Sequence, residues 1–299
     1  MRLVIASAFL LATNAMAADV PRSDCFPIER LGPEDRVLAG QILRDSLDSV
    51  SLYTLITGLK PISTAWQQTP KNLGTELATH FRVKAGDLSR LARLERLLAA
   101  LSCGDDLLSG AVALPLGKDP SQERIVWPWM AHRPRIREIL SQHAELYSRY
   151  FITPYMNPST MLYTIVTLPA ADRGNSDRLL GHLLGYPLYA VEFYAEHGQQ
   201  RSQTGELLFG GMSVEDRAVL TERGRIQAFS YTVPKDHTTP NQEDLDIKAK
   251  ATQILEEYSK RRSRYIGEGK PGPAELLRDW FCDSKGMCNP SRVNLNASQ

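Results

Sequence analysis

The chain has 299 residues, with 35 lysines and arginines against 34 aspartates and glutamates, a formal charge of +1. That balance lacks the excess of positive charge that marks a nucleic-acid or polyanion partner, so nucleic acid is excluded as an expected ligand. An apolar fraction of 42% is ordinary for a globular core, and the length suits one large domain or two small ones.

The first residues read as a secretory signal peptide. Met1-Arg2 is followed by an apolar run from Leu3 to Ala12, then by Ala15 and Ala17 at the −3 and −1 cleavage positions. The sequence therefore divides into a signal peptide over 1–17 and a single exported α+β domain over 18–299, with a disulfide-stapled C-terminal tail. No other stretch approaches the roughly 20 apolar residues of a membrane span, so none is expected in the mature chain, which belongs in the periplasm or outside the cell. Removal of Arg2 brings the acidic and basic counts level.

From Pro33 to Thr57 apolar residues recur at helical intervals, and Gly58 stands where a helix would stop, predicting one long buried helix. A second helix is expected from Asp87 as N-cap, with Leu91, Leu94, Leu98 and Leu101 inward and Gly104 ending it. Ile125 to Trp129 reads as a strand that Pro128 would confine to an edge. A third helix opens at Pro134 and carries Ile136, Ile139, Leu140, Tyr147 and Tyr150 inward. Met161 to Thr167 is rich in β-branched and aromatic residues and predicts a buried strand. A helix pair follows, Ser176 capping the first member, Gly185 ending it and Pro187 opening the second. Arg225 to Val233 then alternates as a half-buried strand, with Phe229, Tyr231 and Val233 on one face. A last long helix runs from Gln242 to Tyr265. The fold class expected is α+β, mostly helical with a small sheet of about three strands.

Four cysteines in an oxidising compartment predict two disulfides, with three possible connectivities. Cys282 and Cys288 enclose a turn permitted by Gly286, which favours pairing them together and Cys25 with Cys103. In the chain-entropy description the long loop contributes roughly 4.5 kcal/mol and the short one roughly 2.4. Neither cysteines nor histidines show zinc-ligand spacing, and the sequence implies no metal and no cofactor.

Two segments carry a resemblance. Tyr53-Thr-Leu-Ile-Thr-Gly-Leu-Lys-Pro-Ile62 resembles the Ala-Gly-x-Lys-Pro opening of a bacterial domain family of unknown function. Leu184-Gly-Tyr-Pro-Leu-Tyr-Ala-Val191 is similar to that family's Phe-Leu-Gly-Tyr-Pro-Leu-x-Asp-Val. The resemblance implies a shared fold, through Gly58, Lys60, Pro61, Gly181, Gly185, Tyr186 and Pro187. It carries no catalytic role, because Arg178, Leu179 and Ala190 stand where the family has His, Glu and Asp.

Lys60 is the family-matched residue with reactive potential, since a buried lysine can lose its charge and act as base or nucleophile. Its place at a helix end is equally one where a solvated cation complements the dipole. Ser63 and Thr64 downstream would help it hold an anionic group, with Arg178, Tyr186 and Glu192 lining the same site. His182, Glu192, Glu196 and His197 gather nearby without ligand spacing, and Glu76 and His80 form an i,i+4 pair. Gly267 to Gly272 fits the letters of a dinucleotide fingerprint but follows a helix, so it reads as a linker. Trp127 and Trp129 read as edge-strand packing. The function expected is an exported domain binding a small ligand or a protein partner without catalysis; the alternative is an envelope enzyme using Lys60 and the Gly181–Pro187 corner. Protein recovered from the envelope is expected to begin at Ala18, checked by intact mass; an unprocessed chain, or one confined to the cytosol, would contradict export.

Overall fold

A computed structural model describes residues 19–63, 82–84, 88–115, 123–204, 209–213, 220–221, 224–225, 229–234, 236–293 and 295. The expected signal peptide, Thr64, Glu76, His80 and the Asp87 cap lie outside them. The fold is the expected mostly helical α+β type, built around one small sheet.

Strand β5 (Glu123–His132) is the centre of that sheet. It pairs antiparallel with β4 (Leu107–Pro115) along one side, and with β2 (Ile62–Ser63) and β3 (Arg82–Lys84) in succession along the other. The sheet is thus three strands wide, and the expectation that β5 lies at an edge is corrected. Pro128 stands opposite Ala111 of β4, while along the other side β3 reaches Ile125 and β2 reaches Met130 among the described residues. Alternation sends Val126 and Met130 to one core, and Trp129 and Ala131 to another. Gly110 sits opposite Trp129, where a Cβ would stand 2.4 Å from the indole ring. The glycine makes room for the tryptophan, whose Nε1 donates to Ser159 Oγ at 3.0 Å.

The first core packs helices α1 (Pro33–Leu47), α2 (Leu52–Thr57) and α3 (Leu88–Ala99) against one face of the sheet. The single long helix expected over Pro33–Thr57 is broken. Asp48 is drawn outward by Tyr258 Oη at 2.7 Å and by both sides of the Arg262 guanidinium at 2.9 Å, and Ser49 bonds back to the Ser46 carbonyl. Short polar side chains here compete with the helical ladder and end it.

The second core packs α4 (Arg133–Gln142), α5 (Ala144–Ser148), α6 (Pro158–Val166) and α7 (Arg173–Leu183) on the opposite face. Helix α6 occupies the segment expected to be a strand. Asn157 Oδ1 accepts the Ser159 amide at 2.8 Å and Pro158 stands at the first turn, so local capping overrides the β-branched composition. Met161, Leu162 and Ile165 face inward at helical spacing. The helix expected from Pro134 stops at His143 and restarts as α5. Ser176 does not cap α7; it is buried one turn inside and donates to the Ile165 carbonyl.

Helix α8 (Leu188–Thr204) completes the expected pair. Strand β6 (Phe209–Ser213) pairs with β9 (Ser230–Pro234), and β7 (Leu220–Thr221) with β8 (Gly224–Arg225). Of the strand expected over Arg225–Val233, Arg225 lies in β8 and Ser230 to Val233 in β9, residues 226–228 lie outside the described ones, and Phe229, Tyr231 and Val233 are buried as the alternation required. Helix α9 (Gln242–Tyr265) has the expected bounds, and the Gly267–Gly272 linker joins it to α10 (Pro273–Phe281). Both disulfides, Cys25–Cys103 and Cys282–Cys288, have the expected connectivity. Strand β1 (Val20–Pro21) pairs with β10 (Met287–Cys288), joining the two ends of the domain. Among the described residues no helix is long and apolar enough to cross a membrane.

Candidate functional site

The Gly58–Ile62 segment and the Gly181–Pro187 corner meet. Gly58 takes the left-handed conformation, φ +65°, and ends α2; a Cβ there would lie 2.6 Å from the His132 ring. The chain then passes Leu59, Lys60 and Pro61 along the end of β5, where the His132 amide donates to the Pro61 carbonyl at 2.8 Å. From the other side comes the end of α7. Gly185 has φ +73°, its amide donates to His182 O at 3.0 Å, and the Tyr186 amide donates to Gly181 O at 3.2 Å. These two bonds make a Schellman stop. A Cβ on Gly185 would stand 2.3 Å from the Leu59 carbonyl oxygen and 3.1 Å from Pro61 Cδ, so backbone rests directly on backbone.

Lys60 lies within this joint, 3% exposed, which corrects the solvated helix-end reading. Its Nζ is 3.5 Å from Tyr186 Oη, 4.6 Å from the Tyr186 ring centre and 4.8 Å from that of Phe229. Burial pushes its amine down to about 7. The two ring faces act in the opposite sense, each stabilising an ammonium by about 0.5–2 kcal/mol. Tyr53 meets Phe229 edge-on at 5.5 Å and Tyr231 lies 5.9 Å from Tyr186, so the two rings that face the lysine are each backed by a further aromatic side chain. Burial pushes the Tyr186 phenol up to about 12.

Behind this aromatic cluster sits a group that the sequence reading missed. Asp244, 1% exposed, accepts from Tyr231 Oη, from Tyr189 Oη at 2.7 Å and from the Asn241 amide at 2.9 Å, and meets His237 Nε2 at 2.7 Å. Burial alone would raise its carboxyl, but the bonds from Tyr231, Tyr189, Asn241 and His237 prevail and hold it below the usual range. The signal was present: Asn241 and Asp244 form a reciprocal capping box at the start of α9.

The remaining candidates are engaged elsewhere. Ser63 Oγ donates to Ser51 Oγ at 2.9 Å, both fully buried. Arg178 Nε pairs with Glu192 at 2.7 Å, tying α7 to α8. His182 stacks on His143 with ring centres 3.8 Å apart, and burial, with the neighbouring His143 and Arg178 charges, lowers it to about 4. His132 is lowered to about 4 chiefly by burial, and its Nδ1 accepts the Arg135 amide, capping α4. Of the five expected ligand residues, the structure brings Lys60 and Tyr186 into contact.

A cleft of 740 Å³ opens on the far side of the first core, between the end of α9 and the C-terminal tail; its wall includes Arg22, Arg261, Arg264, Tyr265, Trp280 and Cys282. Its acids are all occupied. Asp279 takes Arg22 at 2.7 Å and the Tyr265 hydroxyl, Asp19 takes Asn289 at 2.6 Å, and Asp283 accepts the Lys285 and Met287 amides at 2.9 and 3.0 Å. Arg261 lies 5.0 Å over the Trp280 ring. Arg264 makes no ion pair with any described residue, and the buried Trp280 indole N–H has no acceptor among them. No family model, no curated protein and no solved structure matches this chain.

Gly185→Ala is expected to lower stability by roughly 2–4 kcal/mol, combining left-handed strain with a clash against immovable backbone. Gly269 has φ +69° with open space around its Cβ position, so Gly269→Ala should cost only about 1 kcal/mol. Equal losses in thermal unfolding would remove the joint from the argument. Lys60 supplies a pH test. Its proton is bound more tightly in the unfolded chain, where the ordinary value is 10.5, than in the fold, where it is about 7. The unfolded state therefore holds the extra proton between those limits, and stability should rise with pH across pH 7–9. Lys60→Met should flatten that slope in denaturant titrations and match or exceed wild type at pH 7. An unchanged slope would show that Lys60 does not titrate in this window.

Proposed function

We propose that the chain is exported and that the mature protein is a non-catalytic binding domain for a small anionic ligand held in the C-terminal cleft. Export is supported by the charged, apolar and small-residue order of the first residues and by the two disulfides, which persist in oxidising compartments. The observation that carries the ligand class is the imbalance of hydrogen-bonding capacity in the cleft. Its carboxylates are already engaged, whereas Arg264, exposed at the wall, has no ion-pair partner among the described residues. A ligand that only accepts, a carboxylate or a phosphate, satisfies such a wall, and the volume suits a small molecule.

A second reading, an envelope enzyme working through Lys60, is favoured by an amine that burial brings to about 7. The same burial keeps it from a substrate, and Gly185 closes the joint on one side. The binding reading therefore accounts for more of what surrounds each group.

Titration of the mature protein with inorganic phosphate and with a dicarboxylate, followed by thermal unfolding and calorimetry, tests the proposal. One of the two anions is expected to raise the melting temperature, and Arg264→Ala to weaken its binding about tenfold or more, the loss of one charge-assisted contact of roughly 1.5–3 kcal/mol. No shift with either anion at millimolar concentration, or equal binding by the variant, would overturn it.

A further inference from the structure

The two disulfides are not independent. The Sγ atoms of Cys25, Cys282 and Cys288 all lie within 4.8 Å of one another, although Cys25 is bonded to Cys103 and Cys282 to Cys288. Three local features bring them there. Pairing of β1 with β10 sets Val20 opposite Cys288, a few residues ahead of Cys25. Arg278, buried on α10, donates from Nε to the Cys25 carbonyl and from Nη2 to the Phe26 carbonyl, each at 2.7 Å. Phe26 itself is held at φ +52°, a conformation that bulky residues avoid, with its ring 6.0 Å from that of Phe281 beside Cys282.

Access to these sulfurs is unequal. Cys25, Cys103 and Cys288 are fully buried, whereas Cys282 is half-buried and forms part of the cleft wall beside Arg22, Arg261 and Arg264. An incoming thiolate thus meets Cys282, and the sulfur it displaces, Cys288, is left facing Cys25. We propose that the four cysteines form a thiol–disulfide relay, entered at Cys282 by a small thiol and leading to Cys103.

The steps balance without an outside oxidant or reductant beyond the thiol itself. The thiolate bonds to Cys282 Sγ, the Cys282–Cys288 bond breaks, and the electron pair leaves on Cys288 as thiolate. Cys288 then attacks Cys25 Sγ; the Cys25–Cys288 bond forms, Cys25–Cys103 breaks, and the thiolate appears on Cys103. One thiolate enters, one emerges, and two disulfides are present before and after. Each step is the exchange through a mixed disulfide that thiolates undergo, and guanidinium groups in the wall favour the anionic form of the entering thiol. The relay converts an event at the cleft into release of Cys103, which closes the turn between α3 and β4. It does not depend on the anion reading, since it uses the sulfurs alone.

Reduced glutathione is the probe. The oxidised mature protein is incubated with it under native conditions, quenched in acid, alkylated and mapped by peptide mass. The expected product carries glutathione on Cys282, a Cys25–Cys288 link and an alkylated Cys103. An adduct on Cys282 with the alkyl group on Cys288 and Cys25–Cys103 intact would overturn the relay, as would absence of any Cys282 adduct in native protein when the denatured protein reacts. Cys103→Ser supplies a second test, because Cys25 then faces the Cys282–Cys288 bond as a free thiol. A substantial fraction of Cys25–Cys288 is expected in that variant; a folded variant holding Cys282–Cys288 alone would count against the proposal.

Discussion

The carbonyl oxygen of Leu59 lies where a side chain on residue 185 would have to begin, so the corner after α7 and the segment after α2 meet backbone to backbone. The central sheet is buried on both faces, with one helical core on each side. A sheet covered in this way separates its two layers, which meet where the chain passes around it. The segment from Gly58 to Ser63 makes that passage: it leaves α2 in the first layer, joins the sheet as β2, and receives the corner of α7 from the second layer on the way. Gly58 and Gly185 are both left-handed and both stop a helix, the first lying against the His132 ring and the second against the Leu59 backbone, so the conformation that ends α7 is also the one that lets the backbones meet.

Two buried ionisable groups near that joint are accommodated in opposite ways. Asp244 keeps its charge because four groups, two phenols, an imidazole and an amide, converge on its oxygens. Lys60 has ring faces and one phenol oxygen at the limit of hydrogen bonding. The first arrangement rewards ionisation and the second tolerates it. Tyr231 and Tyr186 link them, one ring turned to the carboxylate and the other to the amine, so the aromatic cluster serves as hydrogen-bond donor at one end and as apolar lining at the other.

What could be read from the sequence was what local chemistry alone decides. The stops at Gly58 and Gly185, the span of α9 and the cysteine pairing all follow from the conformational freedom of glycine, from periodicity and from spacing, whereas α3 ends at Ala99, ahead of the stop expected at Gly104, which instead turns the chain into β4. What could not be read depended on partners remote in sequence. Helix α1 ends early because Arg262 and Tyr258 claim Asp48 from more than 200 residues away, a fact no local pattern contains. The status of β5 as a central strand depended on neighbours either side of Pro128 rather than on Pro128 itself. At α6 the local signal existed in Asn157-Pro158 and was outweighed by composition. At the candidate site, the residue types singled Lys60 and Tyr186 out, but their burial could only come from three dimensions, and the hydrogen-bonded Asp244 cluster was hidden inside what reads as an ordinary helix cap.

The pairing of β1 with β10 sets an order on how the molecule can be completed. Val20 and Pro21 are synthesised well before the Met287 and Cys288 with which they pair. The Cys25 carbonyl likewise waits for Arg278. Until the tail is made the chain therefore carries an N-terminal segment with no strand to join, beside a cysteine whose early neighbour is Cys103. The tail carries, close together in sequence, the strand that β1 pairs with, the guanidinium that fixes the turn after Cys25 and the second pair of sulfurs.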